Sequence, residues 1–116
     1  MTTLRTCADS AEVVLGGLGI RPVVLPHAGD TVYGHKHRFD HVMFCMSGSI
    51  HVHATCDAGC NKEYTMEPGS FVLIPATWRH AITALTDGVK FVCVFSQCDA
   101  NGTRDAAFMA DIDEGV

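Results

Sequence analysis

Short apolar runs and strict apolar–polar alternation dominate the chain, and long amphipathic periods are missing. Val13–Leu15 and Val23–Leu25 are brief β-branched runs broken by Gly16, Gly17, Gly19 and Pro22. Composition of that kind predicts edge strands. Thr31–Tyr33 is a further short strand inside the turn-rich stretch 26–34. His41–Met46 is apolar, and Ile50, Val52 and Ala54 then alternate with Ser49, His51 and His53. A period of two places alternate side chains on opposite faces of a sheet. Residues 55–62, with Asp57, Gly59 and Asn61, read as a hairpin tip. Tyr64 and Met66 alternate with Glu63 and Thr65, Phe71–Ile74 ends at Pro75, and strands over 80–85 and 91–95 follow.

No helix of ten residues fits before residue 100, so alternating βαβ units are excluded. The pattern predicts an all-β sandwich or barrel of many short strands over about 13–98, in a single domain covering 1–116. After Ser96 the composition shifts. Residues 103–112 predict one short helix, capped by Asn101 or Thr103 and docked on the barrel or on a second subunit.

Composition narrows the function classes. A formal net charge of −5 leaves no basic stripe to neutralise phosphates, which argues against nucleic-acid binding. No stretch is apolar enough for a membrane span, and the first residues lack a secretory pattern. The expectation is a cytoplasmic protein with its six cysteines mostly reduced.

The chemistry concentrates in one stretch, Gly29 to Gly48, which holds His35, His37 and His41. The three share parity. They project from one face if the chain stays extended, or nearly so, through residues 38–40. His80 lies on a distant strand and is expected to swing round as a fourth imidazole. By the same parity Met43 and Cys45 face inward, Phe39 lies near the histidines, Tyr33 points toward the cavity and Trp78 lines its mouth. Four neutral imidazoles suit a divalent transition metal. Fe or Mn comes first, with Cu, Ni, Co or Zn as other occupants. Because no carboxylate offsets the charge, such a site favours an anionic or chelating small molecule.

Spacing also carries a resemblance. Five residues separate Gly29 from His35-x-His37, three more precede His41, and six separate His41 from Gly48. Farther on, Gly69, Pro75 and His80 stand at the spacings of a second motif, with Thr77 and Ala84 where glycine and asparagine are usual. The chain resembles a small single-domain cupin, the RmlC-like superfamily, in the variant with histidine for the usual glutamate at position 41. The resemblance implies a jelly-roll barrel, that is a double-stranded β-helix, and one metal held by His35, His37, His41 and His80. It implies an enzyme acting on a small organic acid, diketone or enol, with oxygenase chemistry ahead of a redox-neutral lyase or isomerase. A non-catalytic metal or ligand-binding module is the competing class. Proton transfer would fall to Tyr33, a bound water or the substrate. Pairing through a sheet edge, as single-domain cupins commonly show, implies a homodimer.

A second cluster, His51, His53, Cys56 and Cys60, has two outcomes besides a solvated hairpin tip. One is a zinc site of Cys2His2 type. The other is a Cys56–Cys60 disulfide.

Overall fold

A computed structural model describes residues 12–15 and 18–96 of the 116-residue chain. The expected helix over 103–112 lies outside the described residues. Among the described residues nine strands follow one another: β1 (Glu12–Leu15), β2 (Leu18–Leu25), β3 (Thr31–His35), β4 (His41–Ser47), β5 (Ile50–Thr55), β6 (Asn61–Met66), β7 (Phe71–Ile74), β8 (Arg79–Ala84) and β9 (Val89–Ser96). They form two antiparallel sheets, one of five strands in the order β1-β2-β9-β4-β7 and one of four in the order β3-β8-β5-β6. This is the predicted all-β jelly roll.

Alternation builds the core between the sheets. On β4, His41, Met43 and Cys45 turn inward, and on β9 Val89, Phe91, Cys93 and Phe95 meet them. The four-stranded sheet contributes Ile50, Val52, Ala54, Ile82 and Ala84. Burying branched and aromatic side chains at roughly 1.5–3 kcal/mol each supplies the main driving force. The outer face of the larger sheet is also apolar. Phe71, Phe44 and Val92 stand side by side across three strands, as do Leu73, Val42 and Val94.

Two expectations change. First, β2 is an edge strand only in part: β1 pairs with its first residues, and the half that holds Val23–Leu25 keeps the expected edge character, paired with β9 alone. β1 covers only Leu18–Ile20, so Pro22 has a side without a neighbouring strand, where its missing N–H costs no ladder bond. Second, His35 and His41 do not share an extended strand. His35 ends β3 in one sheet and His41 opens β4 in the other, while residues 36–40 cross between the sheets.

The hairpin tip between β5 and β6 is closed by a Cys56–Cys60 disulfide. That removes the two thiolates a zinc site there would need. Cys45 and Cys93 remain thiols and are buried.

Candidate metal centre

The histidines reach the interior by three routes. His35 and His80 are cross-strand neighbours on β3 and β8. His41 faces them from the opposite sheet, paired between Phe95 and Ile74. His37 sits in the crossing segment, pinned where its carbonyl accepts the Thr77 amide at 2.7 Å. Thr77 adopts φ of +70°, the left-handed conformation that glycine takes most cheaply.

Four imidazoles therefore meet in the core, each at least nine-tenths buried. Ring centroids lie 4.2 Å apart for His35–His80, 4.8 Å for His35–His37 and His41–His80, and 5.3 Å for His37–His41 and His37–His80. His35, His37 and His80 form the tightest set, offering ring nitrogens within 4.8 Å of one another. His41 flanks that set.

Hydrogen bonding fixes how two of these rings present themselves. His35 Nδ1 lies 2.8 Å from the Tyr33 carbonyl, and His80 Nδ1 lies 3.1 Å from the Trp78 carbonyl. A carbonyl only accepts, so each Nδ1 carries the proton and donates it. Nε2 of each ring is then a lone pair aimed inward, and neither has a hydrogen-bond partner among the described residues. Leaving such an atom buried and unsatisfied costs about 1–3 kcal/mol. Burial, followed by the neighbouring His35 and His41, pushes the His80 pKa down to about 2. His80 is therefore a neutral donor across the physiological range.

The remaining expected residues separate. Phe39 is buried and stacks on the His37 ring, with centroids 4.5 Å apart and planes 8° apart, and on Phe95 at 4.9 Å. Met43 and Cys45 are inward but serve the core farther along β4. Burial raises the Cys45 thiol pKa, with Glu67 adding to it, and its Sγ reaches the Gly48 carbonyl at 3.3 Å. Tyr33 is a correction: it is 51% exposed and stands outside the buried cluster. The β3–β8 register shifts between Val32 and His35, so simple parity fails across that step. What Tyr33 contributes to His35 is its backbone carbonyl. The Asp40 side chain accepts from the Ala76 amide at 2.7 Å, and the Thr83 hydroxyl lies 3.4 Å from that of Thr31, so the ring partners of His35 and His80 are backbone carbonyls.

Trp78 does line an opening. A recess of about 120 Å³ lies between the edge strands β6 and β7, walled by Lys62, Tyr64, Leu73, Pro75 and Trp78 and floored by Ala54 and Ile74. Ala54 is the strand neighbour of His80, and Ile74 that of His41. Lys62, Tyr64 and Leu73 line the recess without being marked as site residues by the motif spacing. For Lys62 the sequence signal is its parity with the inward Met66.

Similar solved structures agree on the architecture. Oxalate decarboxylase from Bacillus subtilis superposes with a TM-score of 0.64 and 22% identity over 69% of this chain. The chain has the cupin fold. Lactobacillus farciminis oxalate decarboxylase in its formate complex gives 0.63 and 24% over 77%. Another B. subtilis oxalate decarboxylase structure, described for its Mn(II) centers, again gives 0.64 and 22% over 69%. The chain spans only about a fifth to a quarter of the length of these enzymes, 21% and 24%. Peruvianin-I, described as a cysteine peptidase from Thevetia peruviana latex, matches as well, at 0.63 and 18% over 69% of this chain and 50% of its own. One architecture thus hosts differently described proteins, and the chemistry has to be argued from the site. No family model and no curated protein matches the sequence.

Proposed function

We propose that this protein is a metal-dependent enzyme acting on a small organic acid or enol. His35, His37 and His80 would hold one divalent transition metal, with His41 as the fourth ligand. The carrying observation is the pair of inward, buried and unsatisfied Nε2 atoms on His35 and His80. A metal ion is the partner that relieves both at once, and an all-imidazole donor set fits Mn, Fe or a later first-row ion. Bound there, the ion supplies Lewis acidity and, where redox-active, oxygen chemistry.

The chain's own residues set the terms. The Tyr33 and Trp78 carbonyls hold the donor tautomers of His35 and His80, as outer partners of metal-bound histidines commonly do. Phe39 covers the face of His37 and excludes water from that side. Neutral imidazoles leave the metal's charge undiminished, which favours a carboxylate or enolate in the remaining positions.

Carbon–carbon cleavage is the reaction class, with oxygenation as the first form. Redox-neutral decarboxylation is the second, favoured by the oxalate decarboxylases among the structural neighbours. Protein loaded with Fe(II) or Mn(II) and given oxalate, α-keto acids and β-diketones separates them. Oxygen uptake supports oxygenation, and carbon dioxide release without oxygen uptake supports the lyase. Tight ligand binding without turnover would favour a non-catalytic module and contradict the enzyme. Either activity should disappear in His41→Ala. We also propose a homodimer, supported by the exposed Phe71 and Leu73 on the larger sheet. Light scattering that finds a monomer at micromolar concentration would contradict it.

A further inference from the structure

One row of directly paired residues crosses the smaller sheet. His35 pairs with His80, His80 with Ala54, and Ala54 with Lys62. Residues directly opposite on neighbouring strands point to the same face. Lys62 therefore projects on the same side of the sheet as the two histidines. Two strand spacings separate it from His80, roughly 10 Å. Because β6 is an edge strand, the lysine stays exposed and forms part of the recess wall. No ion pair engages it among the described residues.

The rest of the recess is apolar. Trp78, Tyr64, Leu73 and Pro75 line the opening together with Ala54 and Ile74, which are the cross-strand neighbours of His80 and His41. Ala54 is the smallest side chain in the row. A cation at the rim, an apolar wall and a small residue beside His80 together match a ligand with two ends. We infer that the recess is the outer part of the substrate site and that Lys62 selects acids carrying a second, distal carboxylate. Such a ligand would place its chelating end toward the histidines and its distal carboxylate on Lys62. Four or five carbons suit that span. The inference rests on the metal-dependent reading above and names the substrate class for it.

Inward-pointing lysines on edge strands also serve a simpler purpose, blocking strand-to-strand aggregation. Binding tells the two roles apart. Trp78 is the only tryptophan of the chain and lines the recess, so its fluorescence reports occupancy. The full chain, loaded with Mn(II), is titrated with α-ketoglutarate and with α-ketovalerate. These have the same five-carbon backbone, and only the first carries the distal carboxylate. A charge-assisted contact predicts about tenfold tighter binding of α-ketoglutarate. Lys62→Ala should abolish the difference by weakening α-ketoglutarate alone, and Lys62→Arg should keep most of it. A preference that survives Lys62→Ala overturns the inference, as does a parent that binds both acids alike or neither. Metal content measured on the same samples separates the two levels of the account. Protein that holds no Mn(II) defeats the metal reading and this inference together. Protein that holds Mn(II) without discriminating the acids defeats this inference alone.

Discussion

His35 and His80 face each other across the β3–β8 pair with ring centroids 4.2 Å apart, each donating Nδ1–H to a carbonyl two residues earlier in its own chain. The repeated arrangement leaves two Nε2 lone pairs converging in the core. Everything proposed about chemistry depends on that convergence.

Acid sensitivity of the metal-free protein follows from His80. Its folded pKa is about 2, against an ordinary value of 6.5. Between those values the unfolded chain binds the proton and the folded chain does not. Stability from this group is therefore complete above pH 6.5 and lost progressively as pH falls toward 2. The slope approaches about 1.4 kcal/mol per pH unit in the lower part of that window. Urea unfolding of the metal-free protein at pH 7.5, 6 and 5 should show stability falling with pH, and His80→Gln should flatten the trend. A parent equally stable at all three would contradict the buried, neutral assignment.

Much of this is legible in the sequence alone. Alternation in β4, β5, β8 and β9 marks the inward residues, and it brings His41 and His80 into the interior without further information. The histidine stretch takes a different form from the one its parity suggests. Parity over 35–41 suggests one extended strand, whereas the chain leaves one sheet at His35 and enters the other at His41. Local alternation carries no signal for a change of sheet, since that depends on which strands pair at long range. Tyr33 fails for a related reason: one irregular step in the β3 ladder reverses its face. Lys62 shows the converse. Its parity with Met66 was visible, but whether an inward position is buried or open depends on which strand ends at a sheet edge.

Thr77 occupies a left-handed backbone position, with φ of +70°, at the turn that holds His37 through its amide. A β-branched residue there is strained by roughly 1–2 kcal/mol, and glycine relieves it at some entropic cost. Thr77→Gly should raise stability by about 0.5–1 kcal/mol in urea unfolding. Loss of stability would show that the threonine side chain contributes more than its backbone costs.

Lys36 lies between His35 and His37, with a side chain only 3% exposed, and pairs with Asp57 at 3.4 Å. Asp57 belongs to the turn closed by the Cys56–Cys60 disulfide, and its side chain is 82% exposed. Solvent around Asp57 limits the pair to about 1 kcal/mol. Asp57→Asn should lower stability by that amount, and the loss should shrink at high salt. An unchanged denaturation midpoint at low salt would contradict a role for this contact.

The most direct test is the metal content of protein purified without a histidine tag, dialysed and subjected to elemental analysis beside His37→Ala and His80→Ala. The account predicts close to one divalent transition metal per chain in the parent and little in either variant, with both variants still folded by circular dichroism. Equal metal in parent and variants, or a parent that takes up none when offered Mn(II) or Fe(II), would contradict it.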